Sequence, residues 1–194
     1  MNERQEQWES RYAAVDRLWS EQPNDWLPEF AAAWEPGRAL DLGCGEGADA
    51  VWLAERGWDV TGIDLSATAI ARMEAEADRR GLGERVHGVV LDVTREELPA
   101  GPFDLVAAFY VHGGPMPGSL DLIELLGRGA RLVAPGGRLL TAVHCVNPPW
   151  HGHHARTYTP DELLSGLAGA TRGWQIEAGR ERWREVTGPD GEAG

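Results

Sequence analysis

The stretch Arg38–Ser66, RALDLGCGEGADAVWLAERGWDVTGIDLS, constrains this chain more than any other. Ala39–Leu42 reads as a short buried strand. It runs into Gly43, Gly45 and Gly47, three glycines in five positions. Ala48–Arg56 follows with a helical pattern that ends at Gly57, and Asp59–Ile63 reads as a second strand. Strand, glycine turn, helix and strand make a βαβ unit, so the two strands are expected to run parallel. Backbone N–H groups at such a turn meet an acceptor, and glycine lets the backbone approach a ligand closely.

The alternation continues to the end of the chain. Ser66 caps a helix that ends by Gly81, Val86–Leu91 and Phe103–Tyr110 are strands, and Leu120–Val133 is a helix. Pro135-Gly136-Gly137 turns the chain into the strand Arg138–His144. Residues 145–158 are rich in Pro, Gly and His. Thr159-Pro160-Asp161-Glu162 then combines a cap, a first-turn proline and a glutamate three residues after the cap, a helix start. Trp174–Arg184 reads as a last strand. Before the glycine turn, Trp8, Tyr12, Val15 and Trp19 recur at helical spacing, and Pro23 and Pro28 leave a short second helix near Leu27–Trp34. The expectation is one domain over 1–194: a helical cover at 1–35, a core at 36–184 and a flexible tail at 185–194. The fold class is α/β, Rossmann-like and doubly wound, a mostly parallel sheet of six strands with helices on both faces.

Charge separates the ligands such a turn can take. Gly43, Gly45 and Ala48 satisfy G-x-G-x-x-A, which a dinucleotide fold accepts, so the turn alone is a weak signal. Asp41, two residues before Gly43, faces the same crevice. A carboxylate about 4 Å from a pyrophosphate costs roughly 4 kcal/mol at an effective dielectric of about 20. The same carboxylate suits S-adenosylmethionine, which carries an ammonium and a sulfonium and no phosphate. Asp64 ends the second strand and suits ribose hydroxyls under either reading. Asp92 closes the third strand, where acceptors meet an adenine amino group; a turn or cap role is its ordinary alternative. Three acids at three successive strand ends are hard to explain by capping alone.

The stretches LDLGCGEG, GIDLS, LDV, FDLV and APGGRLL together resemble a class I S-adenosylmethionine-dependent methyltransferase over roughly residues 38–180. The early WESRYAAVDRLWSEQPNDWL is similar to the N-terminal cover of small-molecule members, including those near the thiopurine and tellurite methyltransferases. The resemblance implies that Asp41, Gly43 and Gly45 hold the methionine end, Asp64 and Leu65 frame the ribose, and Asp92 and Val93 meet the adenine. It implies that Phe109 and Tyr110 line the methyl-transfer face, that Trp19 and Arg11 are lid contacts, and that Cys44 packs. Trp19 reads equally well as part of a helix packing stripe. The family usually finishes with a seventh strand, which this sequence lacks; the edge so left is open, covered by another chain, or completed elsewhere.

In-line methyl transfer depends chiefly on positioning, and it needs a general base only where the acceptor holds its proton at neutral pH. His112, after the fourth strand, and His144, at the end of the fifth, are the candidate bases; the ordinary alternative for His112 is local hydrogen bonding in a Gly/Pro loop. Tyr110, Trp150 and Tyr158 are candidate substrate walls, with ordinary core as the alternative for each. His151, His153 and His154 lie near His144 and Cys145. They lack a regular metal-ligand spacing, so the segment reads as a substrate lid and no metal is expected.

The net charge is −13 and the pI about 4.8. That opposes a nucleic-acid footprint and docking on anionic membranes. Two cysteines without a CxxC pair, and an N-terminus without a basic, then apolar, start, point to a reducing, cytoplasmic setting. The expected function is methyl transfer from S-adenosylmethionine to a small molecule, with a preference for a thiol or chalcogen acceptor, by a monomer or homodimer. The alternatives are an NAD(P)-dependent oxidoreductase, and a non-catalytic cofactor-binding relative.

Overall fold

The computed structural model describes residues 2–113, 119–147 and 155–183. Within them the chain forms α1 (Glu3–Ala13), α2 (Trp26–Ala31), β1 (Arg38–Leu42), α3 (Ala48–Ala54), β2 (Asp59–Asp64) and α4 (Ala67–Arg79). It continues with β3 (Val86–Val90), β4 (Phe103–Phe109), α5 (Leu122–Ala130), β5 (Val133–Ala142) and α6 (Pro160–Leu167). The strands form one sheet in the order β3-β2-β1-β4-β5, every pair parallel. The order reverses between β1 and β4, the place where such sheets leave a crevice at the carboxyl ends of their strands.

Both faces of the sheet are covered. Ala39 on β1 packs with Leu27, Trp52, Trp58, Met73 and Leu105 under α2, α3 and α4. Its neighbours Leu40 and Leu42 pack the other way, with Phe103, Leu122, Leu125, Leu126 and Leu167 under α5 and α6. Burial on both faces is what a parallel sheet with crossover helices requires. The helix starts are those the sequence marks. Ser66 Oγ accepts from Ala69 N at 3.1 Å, and Thr159 and Glu162 close a reciprocal capping box. No described helix is long and apolar enough to cross a membrane.

Three features depart from the sequence reading. First, β5 begins at Val133, and Pro135-Gly136-Gly137 is a bulge within it instead of a preceding turn. Phe103 pairs with Val133 and Leu105 with Arg138, so two steps on β4 face five on β5. Gly136, at φ +82°, takes up the bend. Second, Trp174–Trp183 is not a strand, so the described sheet has five strands, not six. Side chains hold this segment elsewhere: Arg180 and Arg182 pair with Glu29 on α2, and Arg182 lies 4.1 Å over the Trp26 ring. A cavity of about 560 Å³ separates it from β5. Among the described residues no strand pairs with the outer edge of β5. Third, α1 stops at Ala13, so the helical spacing does not carry through to Trp19. Trp150, the histidines at 151, 153 and 154, and the tail at 185–194 lie outside the described residues.

Candidate active site

Asp41, Asp64 and Asp92 come together at the carboxyl ends of β1, β2 and β3, as the sequence implies. Asp41 is 2% exposed, and its Oδ2 is buried without a hydrogen-bond partner among the described residues. Burial, and then the nearby Asp49 and Asp64 carboxylates, push its carboxyl well above the usual range. Asp64 is different. Its Oδ2 accepts from Gly45 N at 3.0 Å and its Oδ1 from Ser66 N at 2.9 Å. Burial still raises it, against those bonds.

The glycine turn is folded on itself. Gly43, Gly45 and Gly47 have φ of +76°, +54° and +81°, a region that strains other residues. Gly43 N and Cys44 N donate to Ile63 O at 2.8 and 2.9 Å, and Gly47 N donates to Cys44 O at 3.0 Å. With Gly45 N on Asp64, four amides of the turn already have partners. A pyrophosphate would find few donors here and a buried carboxylate beneath them. Cys44 is half-buried against the core, in line with its packing role.

Asp92 is engaged by the N-terminal arm. Its carboxylate accepts from Asn2 Nδ2 at 2.7 Å, from Thr94 Oγ1 at 2.6 Å and from Arg4. Burial opposes its ionisation, but the Thr94 and Asn2 bonds and the Arg4 charge outweigh it and hold the carboxyl below its usual range. The turn-capping role is therefore real at Asp92. Leu65 and Val93 follow the ends of β2 and β3; the Leu65 carbonyl accepts from Gln5 and that of Val93 from Arg128.

The cover lies over the turn. A Cβ on Gly45 would sit 3.2 Å from Tyr12 Oη and 3.3 Å from Trp19 Cδ1. Trp19 Nε1 donates to Tyr12 Oη at 2.9 Å. The Arg11 guanidinium lies 4.4 Å over Trp8 and 5.9 Å from the Trp19 ring. Sequence reasoning missed Tyr12, Glu46, Asp49 and Arg72. Glu46 accepts from Leu18 N and Trp19 N, each at 2.9 Å, and from Arg72 at 2.8 Å. Asp49 accepts from Asn24 N at 2.7 Å and Asn24 Nδ2 at 2.5 Å. The signal was present as two acids inside the glycine motif itself.

The second half of the site sits past β4 and β5. Phe109 is buried. Tyr110 takes φ +52°, uncommon for a residue with a side chain, and donates its N–H to Ala142 O at 2.8 Å. That backbone turns its ring onto His144, centroids 4.7 Å apart, while His112 and His144 stack at 5.1 Å with planes 7° apart. The intervening Val111 reaches the glycine turn, 2.7 Å from where a Gly43 Cβ would be. The ring cluster and the glycine turn thus share one wall. Tyr158 is 2% exposed, its hydroxyl has no hydrogen-bond partner among the described residues, and it lines the 560 Å³ cavity with Tyr110 and His144. No group of three His, Cys, Asp or Glu suited to a metal occurs among the described residues.

Comparison with known proteins agrees with this fold. Residues 39–137 match the family model described as a methyltransferase domain. The nocamycin O-methyltransferase of Saccharothrix syringae is 40% identical over 105 residues, covering 52% of this chain and 35% of that protein. The ubiquinone biosynthesis O-methyltransferase of Alkalilimnicola ehrlichii is 32% identical over 157 residues, covering 78% of this chain and 58% of that protein. The chain spans between 17% and 58% of the curated relatives it matches. TehB from Haemophilus influenzae superposes with a TM-score of 0.70 at 19% identity, over 88% of this chain and 58% of that one, a likeness of fold. A protein solved in work on conversion of a disulfide bond into a thioacetal group during echinomycin biosynthesis superposes with a TM-score of 0.66 at 27% identity. It is covered over 80% of its length by 90% of this chain. With a doubly wound parallel sheet, a glycine turn at its switch point and a family match through both, this chain belongs to the methyltransferase domain family.

Proposed function

We propose that the chain transfers a methyl group from S-adenosylmethionine to a small-molecule nucleophile. The observation that carries the reading is Asp41: a buried carboxylate with an unpartnered oxygen, beneath a turn whose amides are largely satisfied. Such a site suits a ligand that brings positive charge and opposes one that brings phosphate. When bound, S-adenosylmethionine supplies an activated methyl group on a sulfonium. Asp41, Gly43 and Gly45 hold its methionine end, with Arg11 and Trp19 above. Asp64 and Leu65 face the ribose. Asp92 and Val93 border the adenine, and Phe109 lines the transfer face. Relatives named for S-adenosylhomocysteine and sinefungin complexes accord with this choice.

The acceptor approaches the ring cluster. Tyr110 and Tyr158 wall it, and the His112–His144 pair takes a proton from an acceptor that still holds one. The His112 and His144 rings stack with centroids 5.1 Å apart beside Tyr110. A thiolate or chalcogen anion needs no such help. The relative associated with thioacetal formation favours sulfur, while the O-methyltransferases and a geranyl diphosphate 2-C-methyltransferase among the relatives keep oxygen and carbon in the test. Titration calorimetry with S-adenosylhomocysteine and with NAD separates the carrier reading from an oxidoreductase. Labelled S-adenosylmethionine with a panel of thiols, phenols, acids and amines then identifies the acceptor. Binding of NAD in place of S-adenosylhomocysteine would refute the proposal.

A further inference from the structure

We infer that Glu46, Asp49 and Arg72 form a latch that seats residues 12–24 over the glycine turn, so that the Tyr12–Trp19 pair roofs the carrier site. The identity of what lies beneath the roof rests on the function proposed above. The latch itself stands on the contacts. Residues 14–25 contain no regular helix or strand, and most of them are exposed. Little apolar burial holds them in place, which marks a segment that opens readily. Trp19 is 47% exposed although it touches the turn.

Polar tethers take the place of burial. Glu46 is 3% exposed, and a carboxylate that deeply placed needs partners. It finds them in the cover: Leu18 N and Trp19 N, with the Arg72 guanidinium on its other oxygen. Arg72 also donates to Tyr12 O at 3.1 Å and Val15 O at 2.7 Å. Asp49 ties the far end through Asn24. Trp19 cannot leave Gly45 without freeing two N–H groups from Glu46 and breaking its own bond to Tyr12. Glu46, Asp49 and Arg72 are therefore positioning residues that act through the cover.

The test begins without any ligand. Hydrogen exchange at the Leu18 and Trp19 amides, which Glu46 holds, should be faster in Glu46→Gln and Arg72→Met, which lose the ion pair, than in the wild-type chain. In the same variants S-adenosylhomocysteine should dissociate at least about tenfold faster, the size set by losing hydrogen bonds to a charged group. KM for S-adenosylmethionine should rise by a similar factor while kcat stays within roughly threefold, the pattern of lost binding. Trp19→Phe, which keeps the ring and loses the bond to Tyr12, should show a smaller acceleration of release. If Glu46→Gln does not fold, Arg72→Met carries the test, and unaltered exchange and release in it overturn the latch. Looser exchange with unchanged release in the variants overturns the roofing role alone. A wild-type chain that binds no S-adenosylhomocysteine overturns the carrier reading and the roof with it.

Discussion

Replacing Asp41 by Asn separates the two roles of a buried charge. In the ligand-free chain the Asp41 carboxylate is a liability: it is 2% exposed, one oxygen lacks a partner, and burial together with Asp49 and Asp64 opposes its ionisation. Asn keeps the shape and a polar group in the same place but cannot ionise, so relative to wild type the apo variant should gain about 1 kcal/mol or more between pH 3 and pH 8, roughly what one pKa unit represents. For a chain of this size that raises the Tm by roughly 2–4 °C per kcal/mol. Toward the carrier the sign reverses. A hydrogen bond to a charged group contributes about 1.5–3 kcal/mol, so the Kd for S-adenosylhomocysteine should rise roughly 10- to 150-fold.

The pH dependence supplies a second reading of the same group. A carboxyl raised in the folded state stabilises the fold below the unfolded pKa, near ~3.9, and that contribution is lost as the pH rises through the raised value. The stability gap between variant and wild type should therefore open above about pH 4 and level off once Asp41 is ionised. Wild-type carrier affinity should weaken as the pH falls through the same window, and the variant should lose that part of the dependence. Calorimetric binding and thermal melts across pH measure both. An Asp41→Asn chain with unchanged Kd, or with no gain in apo stability relative to wild type between pH 3 and pH 8, would refute the charge argument.

Other outcomes are expected from the same geometry. His112→Ala should lower turnover with a proton-bearing acceptor by about 10²–10⁴-fold, the usual size of general-base catalysis, and change carrier affinity little; turnover retained across the pH range would make His112 a packing residue. Tyr158→Phe removes a buried hydroxyl that lacks a partner among the described residues and should raise the stability by about 1 kcal/mol; a fall would show that the hydroxyl has a partner in solution. Arg4→Ala should leave Asp92 with fewer cationic neighbours and raise its carboxyl toward the ordinary range, which titration by NMR would read directly. Asn24→Ala should accelerate proteolysis within residues 14–25 by removing one side-chain bond to Asp49, and an unchanged cleavage rate would count against that tether.

Local chemistry explains what was legible in the sequence. The glycine turn, the strand-end acids Asp41 and Asp64, and the Thr159 capping box each depend on residues within a few positions of one another, so the pattern is complete in the string. The sequence expects a turn where β5 has a bulge, because Pro135-Gly136-Gly137 has the same composition in either setting; only pairing of Val133 with Phe103 decides it. Trp174–Trp183 has strand-like alternation, yet its arginines find Glu29 and Trp26 on a distant helix. No sequence pattern carries that choice. Trp19 was ambiguous for the same reason: its place is fixed by Glu46, 27 positions on.

The acids of the glycine motif therefore divide by what satisfies them. Glu46 and Asp49 reach backbone and side-chain donors of the cover, and each binds more than one. Asp64 reaches two backbone amides of its own turn region. Asp41 alone among these four has a buried oxygen without a partner. If the motif served only to turn the chain, Asp41 would be the position best replaced by an uncharged residue, because burial opposes its charge and, among the described residues, its Oδ2 tethers nothing. Its cost is intelligible when a counter-charge arrives with the ligand, which is what the Asp41→Asn comparison of stability and affinity measures.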